Sequence, residues 1–465
     1  MVDYSVSDFV SVIFAALESA GIRYCVLHAW ESLPERLPSD LDLAIHPEDK
    51  RKIAVVLRQL TERGFRAVDC HMYEVGAWSI IVCWFCGHER LSVVVDIIVE
   101  YRTSWATILA GSELVAGRTR LRSFWVPAPA IALQYLLAKR TLKRMFLDHH
   151  QKEIRTLMIE LGRARSEAIA GALFGEKLKA RVVDACLNDA LGSLAGQLPG
   201  AMFWGVMRRR PLNALSCVAG EAFRIVRRIA QPTGVLVAFM GPDGAGKSTL
   251  LNRLMDQEWF EFQSQRVFHW RPQCIAKEED RGPVTDPHGK AARGPVGSCI
   301  RLIGFVLDYW VGYVLTIRPA LVRSGLVMFD RYFDDMTIDP KRYRYGGPSW
   351  LPKVLSRLTP RPDIFIVLDA PVDRMLLRKQ EVSEQELTRL RRAYAAFASR
   401  QSNAVVVSTD GVLEETAAAT CQAVGNWMNR RFDQRFRRWK VRGPGPGMAD
   451  SGGSEFDGEC SARAR

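Results

Sequence analysis

Cysteine is scarce in this chain: ten residues, at 25, 70, 83, 86, 186, 217, 274, 299, 421 and 460, are scattered through 465 positions. That dispersal excludes a disulfide scaffold and points to a reducing compartment. The opening residues, MVDYSVSDFV, lack a basic stretch followed by an unbroken apolar run, so no signal peptide and a cytoplasmic location are expected. Long apolar runs are missing as well. The stretch 302–317, LIGFVLDYWVGYVLTI, is interrupted by Asp308 and flanked by Arg301 and Arg318. It falls short of the ~20 residues of a spanning helix, so a buried helix carrying one polar side chain toward a site is expected, and no transmembrane segment. Acidic residues are outnumbered, 51 against 64 lysines and arginines, which leaves a net charge of +13. This favours anionic partners (phosphates, nucleic acid or an acidic membrane surface) without choosing among them. Hydrophobic and charged fractions of 48% and 25% exclude a wholly disordered or collagen-like chain.

What is present divides along the chain. Residues 7–20 read as a helix capped by Ser7, YCVL (24–27) and LDLAI (41–45) as strands, and 50–63 as an amphipathic helix. WSIIVCWF (78–85) and LSVVVDIIV (91–99) read as strands joined by a hairpin at CGHER. From Pro127 to about Ala195 the pattern is helical, and a basic connector with Arg208, Arg209, Arg210, Arg224, Arg227 and Arg228 follows. After Gln231-Pro232-Thr233-Gly234, short apolar strands at 235–240, 266–270, 326–330, 364–369 and 404–408 alternate with helices near 300–322 and 384–400. Alternation of this kind predicts a parallel sheet with helices on both faces. The loop 273–298 is long enough to suspect mobility or function. The expected division is 1–118, 119–205 (helical extension), 206–233 (basic connector), 234–435 and a disordered tail, 436–465.

The most specific motif is Gly241-Pro-Asp243-Gly244-Ala-Gly246-Lys247-Ser248-Thr249, which fits G-x-x-x-x-G-K-[ST] between a strand and a helix. In such a loop the glycines let backbone N–H groups turn toward one anion, the lysine reaches the β/γ-phosphates and the Ser hydroxyl holds Mg²⁺. The following helix N-terminus adds positive potential.

Other segments carry a resemblance. His269-Trp270-Arg271-Pro272, Asp330-Arg331-Tyr332 and RPDIFIVLDAP (361–371), together with the loop, make residues 234–430 resemble thymidylate kinase and related nucleoside monophosphate kinases. The resemblance implies that Asp243 approaches the acceptor sugar, that Arg271 and Arg331 bind the acceptor phosphate, and that Asp330 serves Mg²⁺ with Ser248. It also implies a lid beginning near Arg374, Arg378 and Lys379, with Arg378 catalytic beside Lys247 and Arg331, and with Arg389 and Arg391 as further candidates. FDDMTIDPKRYRYGGP after Asp330-Arg331-Tyr332 replaces the family's Ser-containing helix. With the 273–298 loop, it makes the chain similar to kinase-like proteins of surface-polysaccharide clusters.

In the first part, Asp40 and Asp42 share a strand face, and Asp96 is placed to join them in a two-Mg²⁺ site. This resembles the nucleotidyltransferase superfamily, although Leu27-His28-Ala29-Trp30 stands where that superfamily has Gly-Ser. A surface D-x-D turn, a degenerate fold and an active transferase all remain open. Cys83 and Cys86 with His88, Cys70 and His71 offer only one CxxC, and buried free cysteines are the preferred reading over zinc. The basic run 430–440 is read as a solvated end.

The expected class is thus α/β: a parallel-sheet P-loop kinase fold preceded by an α/β nucleotidyltransferase-like domain with a helical extension. The expected function is ATP- and Mg²⁺-dependent phosphoryl transfer to a dTMP-like nucleoside monophosphate or a related small phosphorylated or hydroxylated acceptor. A homodimer is allowed for and no specific nucleic acid is expected. The alternatives are a nucleotidyltransferase acting on a sugar or small acceptor with a regulatory P-loop half, and a non-catalytic ATP-binding assembly factor.

Overall fold

A computed structural model of the chain describes residues 4–86, 89–103, 105–209, 213–257, 259, 261–275, 292–378 and 383–441. The first sheet contains β1 (Tyr24–Val26), β2 (Leu41–Ile45), β3 (Arg66–Glu74), β4 (Ala77–Cys86) and β5 (Glu89–Ile98) in the order β1-β2-β5-β4-β3. Only β2 and β5 run parallel, which sets Asp42 beside Asp96. Strand β3 carries no apolar run: its sequence RAVDCHMYE is exposed or half-buried over most of its length, so the apolar-run criterion passes over it. The helix Val6–Ser19 is capped by Ser5 and not by Ser7, because Ser5 and Asp8 exchange hydrogen bonds in a capping box. Two short hairpins follow, β6 (Glu100–Arg102) with β7 (Thr107–Ala110) and β8 (Thr119–Leu121) with β9 (Phe124–Val126). Five helices between Pro129 and Arg209 then pack their apolar sides against Cys25, Leu27, Ala44 and Ile98 of the first sheet.

The basic connector is mostly one helix, Asn213–Ala230. Beyond it lie β10 (Val235–Met240), β11 (Ser264–His269), β12 (Gly325–Asp330), β13 (Ile364–Asp369) and β14 (Ala404–Ser408), all parallel, in the order β11-β12-β10-β13-β14. Strands β10, β12 and β13 are apolar runs buried on both faces, as a helix-covered parallel sheet requires.

Two expectations need correction. The apolar helix is longer than 302–317: Pro295–Gly312 continues through Tyr313–Ile317 and Arg318–Val322 into 28 residues that are, by length and composition, enough to cross a membrane. It is also mostly unburied, with only 28% of its most apolar stretch inside the fold. Leu302, Phe305, Asp308 and Tyr309 pack inward, while Ile300, Ile303, Leu307 and Val314 are exposed. The C-terminal helix Leu413–Val441 runs past 436, where the disordered tail was expected; residues 442–465 lie outside the described residues.

That last helix joins the two sheets. Val68, Ile81 and Cys83 of the first sheet share a core with β10, β13 and Val424 and Met428 of the helix, and Phe432 enters the core of the first sheet. Asn429 donates to the Ala67 carbonyl at 2.8 Å, and Arg90 pairs with the buried Glu261 at 2.8 Å.

Candidate active site

Strands β10, β11 and β12 of the second sheet deliver their candidate residues at the same edge. Strand β10 opens into the Gly241–Thr249 loop. A side chain at Gly241 would meet the Leu368 carbonyl at 2.8 Å, and one at Gly244 the Met375 carbonyl at 2.7 Å; their φ angles are +146° and +79°. Only glycine fits both the space and the backbone there. Gly246 and Lys247 begin the helix Lys247–Met255, with Ser248 and Thr249 exposed in its first turn.

Lys247 is buried, and its Nζ donates to the carbonyls of Gly241 and Pro242, both at 2.8 Å. Burial and the neighbouring Arg331 charge lower its pKa to about 7. Neutral carbonyls therefore hold the ammonium at the loop without neutralising it.

Asp330 ends β12, in register with His269 of β11 and Phe239 of β10. Its Oδ2 lies 3.5 Å from Ser248 Oγ and 3.3 Å from His269 Nδ1. Burial would raise its pKa, but the His269 hydrogen bond and the Lys247 and Arg331 charges hold it near 2. Its Oδ1 is buried without a hydrogen-bond partner. An ionised carboxylate with one orphaned oxygen, close to a hydroxyl, is a donor set that fits Mg²⁺.

Arg331 follows with φ +72°, a left-handed conformation that is strained for a long side chain. The strain turns its guanidinium back across the sheet edge, where Nη2 reaches Asp243 at 2.7 Å and Nη1 reaches Asp335 at 2.8 Å and Tyr394 at 3.1 Å. Asp335 also accepts from Tyr343 at 2.7 Å and from Tyr394. Arg342 takes the other oxygen of Asp243. Asp243, a loop residue, is thus gripped by two arginines.

Arg271, past the end of β11, is buried and pairs with Asp308 at 3.1 Å. Asp308 also accepts from the backbone N–H groups of Gln273, Cys274 and Ile275 at 2.7–3.0 Å. The polar residue of the apolar helix therefore anchors the chain leaving β11, and Trp270 stacks on Tyr343 beside it.

Arg378 donates to Thr409 at 3.0 Å and lies 3.5 Å from the Gly244 carbonyl, so it borders the loop. Arg374 faces Asp410 at 3.5 Å. Arg391 makes a two-pronged pair with Asp369 at 2.6 and 2.8 Å, and Arg389 pairs with Glu386 on its own helix. Lys379 lies outside the described residues.

The first sheet gathers its carboxylates differently. Asp42 is buried, accepts from Lys139 Nζ at 3.1 Å and pairs with His28. Burial would raise its pKa, but His28 and Lys139 hold it near 2. Burial and the Asp42 charge push Asp96 up to about 6 and raise Asp40. Among the described residues no group of three or more His, Cys, Asp and Glu side chains could hold a metal ion. Of the three carboxylates expected at a two-metal site, Asp42 has the Lys139 ammonium as its countercharge and lies in register with Asp96. Cys83 donates to Glu261 at 3.0 Å, Cys70 and Cys86 are free thiols, and His88 lies outside the described residues.

Arg342 and Tyr343 lie in the segment FDDMTIDPKRYRYGGP that departs from the family pattern, but neither is singled out; Tyr394 lies in a charged helix and Lys139 in a helical stretch, neither in a motif.

The strand order, with the glycine loop after the central strand, defines a P-loop nucleoside-triphosphate-binding fold. Comparison with known proteins narrows this. The thymidylate kinase of Xanthomonas euvesicatoria pv. vesicatoria is 30% identical over 211 residues, which cover 42% of this chain and 87% of that protein. By that match the chain belongs to the thymidylate kinase family. The thymidylate kinase of Xanthomonas oryzae pv. oryzae is 34% identical over 146 residues, 30% of this chain, and the chain spans about 58% of its length. That of Lacticaseibacillus casei is 28% identical over 223 residues, 44% of this chain and 99% of the relative. A solved thymidylate kinase from Candida albicans is 14% identical with a TM-score of 0.31, over 43% of this chain and 94% of that one. Each of these leaves more than half of this chain without a counterpart. No protein-family model matches the chain.

Proposed function

We propose that this chain transfers the γ-phosphoryl group of ATP to a nucleoside monophosphate of the dTMP kind or a related small phosphorylated acceptor. The observation that carries the reading is the meeting at one sheet edge of the glycine loop, Lys247, Asp330 and the Arg331–Asp243–Arg342 cluster. Ligands of open parallel sheets bind at such an edge.

The roles follow from the chemistry. Phosphoryl transfer needs cations placed around a spreading negative charge more than it needs covalent help. The loop N–H groups and the N-terminus of Lys247–Met255 take the triphosphate, and Lys247 turns from the Gly241 and Pro242 carbonyls to its β/γ-oxygens. Ser248 and Asp330 would hold Mg²⁺, which when bound shields the charge between the β- and γ-phosphates. Arg271, Arg331 and Arg342 take the acceptor phosphate in exchange for the Asp308 and Asp243 carboxylates they hold in the free chain. Asp243 keeps Arg331 and Arg342 oriented until the acceptor arrives. Arg378 borders the loop and contributes a further cation. The acceptor attacks through a phosphate oxygen, the bond from the γ-phosphorus to the bridging oxygen breaks, and ADP leaves.

The test is ADP release by the full chain with ATP, Mg²⁺ and dTMP, followed by a panel of other nucleoside and sugar monophosphates. Acceptor-dependent ADP with a phosphorylated acceptor is the expected result. Pyrophosphate release, or ATP hydrolysis indifferent to every acceptor, would overturn the reading.

A further inference from the structure

The Lys139–Asp42 pair is complete in itself, but the polar groups beside it are not. Arg140 follows Lys139 on the helix Pro129–Lys143 and is only 6% exposed. Among the described residues its side chain makes no hydrogen bond or ion pair, and its Nε is buried without a partner. His150, on the next helix, Asp148–Leu161, is 7% exposed, and its Nδ1 is likewise buried without a partner. Burial and the Arg140 charge lower the His150 pKa to about 4, so the imidazole beside Arg140 is neutral. On the sheet side, Oδ1 of Asp96 is a third buried polar atom without a partner. Asp42 lies between these groups: it is in register with Asp96, and its charge acts on Arg140. The neighbouring Asp40, Lys143 and His149 are exposed, so the cluster is reached from solvent.

A fold that buries a guanidinium gives it a carboxylate or carbonyls, because an unpaired buried charge is costly. Elsewhere in this chain Arg331 has Asp335, Arg271 has Asp308, and Arg431 has the Thr233 and Gly234 carbonyls. Arg140 has none of these. The unmet groups also differ in kind from one side of Asp42 to the other. On the helix side stand a guanidinium, which grips phosphate with two parallel donors, and an imidazole nitrogen that can donate one more. On the sheet side stands a carboxylate oxygen, which accepts from a hydroxyl.

We propose that this cleft between the first sheet and the helices packed on it is a second ligand site, for a small phosphorylated polyol such as a sugar phosphate, with the phosphate on Arg140 and His150 and a hydroxyl on Asp96. The Lys139–Asp42 pair stays intact and forms the wall between the two contacts. Lys143, exposed at the border, adds attraction for the anion. All of these residues precede the helix Asn213–Ala230, so the site owes nothing to the glycine loop.

The experiment is calorimetric titration of glucose 1-phosphate, inorganic phosphate and glucose into the full chain carrying Lys247→Ala and Arg342→Ala, which weaken phosphate binding at the second sheet. It is repeated with Arg140→Met and, separately, Asp96→Ala added. Glucose 1-phosphate is expected to bind more tightly than phosphate, and glucose not at all. Arg140→Met should weaken both phosphates by about tenfold or more, and Asp96→Ala should weaken glucose 1-phosphate alone. A thermal melt without ligand supplies a second readout. Arg140→Met removes an uncompensated buried charge, so it should raise the melting temperature of the otherwise unchanged chain, the opposite of what loss of a structural arginine does. Absence of binding, affinity indifferent to Arg140→Met, or a lower melting temperature for Arg140→Met overturns the site. Equal weakening of both phosphates by Asp96→Ala overturns the hydroxyl contact. None of these readouts needs phosphoryl transfer, so this reading and the kinase reading fail separately.

Discussion

Each sheet buries a lysine close to an aspartate that ends or lies on a parallel strand, and the two pairs are built to opposite purposes. In the first sheet Lys139 sits on Asp42 at 3.1 Å with His28 alongside, so charge meets charge and the site is closed. In the second, Lys247 rests on two loop carbonyls, and Asp330 keeps an oxygen without a hydrogen-bond partner. A paired lysine is part of the fold. A lysine held by neutral acceptors has no countercharge to give up when an anion arrives. What separates a structural ion pair from a working cation is therefore the acceptor that the fold provides, and each pair can be broken to test this.

The largest effect belongs to the second pair. Lys247→Ala removes the ammonium aimed at the transferring phosphate, and kcat is expected to fall by about 10³-fold or more. The two carbonyls it leaves behind cost only about 1–2 kcal/mol of stability. Turnover and a thermal melt on the same preparation read both quantities. A large loss of stability with activity retained would make Lys247 the structural member.

Lys139→Met should show the reverse. It strands Asp42 in the interior with His28 as its remaining partner. The expected cost is about 3 kcal/mol, the low end for breaking a buried pair. Combining it with Asp42→Asn should restore most of that loss, since no uncompensated charge is left. Denaturant unfolding of the single and double variants measures this, and ADP formation should be unchanged in both.

How much of this contrast was visible beforehand follows from the kind of signal each residue carries. The glycine loop, β10, β12 and β13 were legible because strands covered on both faces become unbroken apolar runs, and because φ angles such as +79° at Gly244 leave glycine no substitute. Strand β3 was not, because its residues pack against helices that arrive from 213–230 and 413–441, a burial that local pattern does not record. Asp42 was singled out for its spacing with Asp40, but its meaning depends on Lys139, 97 residues away. Arg342 was hidden for the same reason: a loop arginine shows its role only when the chain brings it to Asp243, 99 residues earlier.

Arg342 also gives the sharper test of the acceptor side. Arg331 is buried in a network with Asp335 and Tyr394, so removing it would disturb both folding and binding. Arg342 is more exposed and shares only Asp243 with it. Arg342→Ala is expected to lower kcat/KM for the acceptor by about 2 kcal/mol, some thirtyfold, with KM for ATP little changed. Equal weakening of both substrates would move Arg342 out of the acceptor pocket and into the support of the loop.

The smallest effect is a proton. With its pKa lowered to about 7 by burial and Arg331, Lys247 is largely neutral at pH 8 in the free chain. A triphosphate beside it favours the ammonium, so binding at pH 8 should take up close to one proton, and at pH 6, where Lys247 is already charged, almost none. Titration of ATP–Mg²⁺ in two buffers of different ionisation enthalpy gives that number directly, and Lys247→Ala should abolish the difference between the two pH values. The sign for stability follows from the same shift. The folded pKa lies below the unfolded value of 10.5, so the unfolded chain binds the proton more readily across the interval between them. Stability of the free chain should fall as pH drops from 10.5 toward 7 and level off below, and saturating nucleotide should remove that slope. Lys139, already facing the Asp42 carboxylate, should bind no proton when nucleotide is added, so uptake that survives Lys247→Ala would erase the distinction between the two lysines.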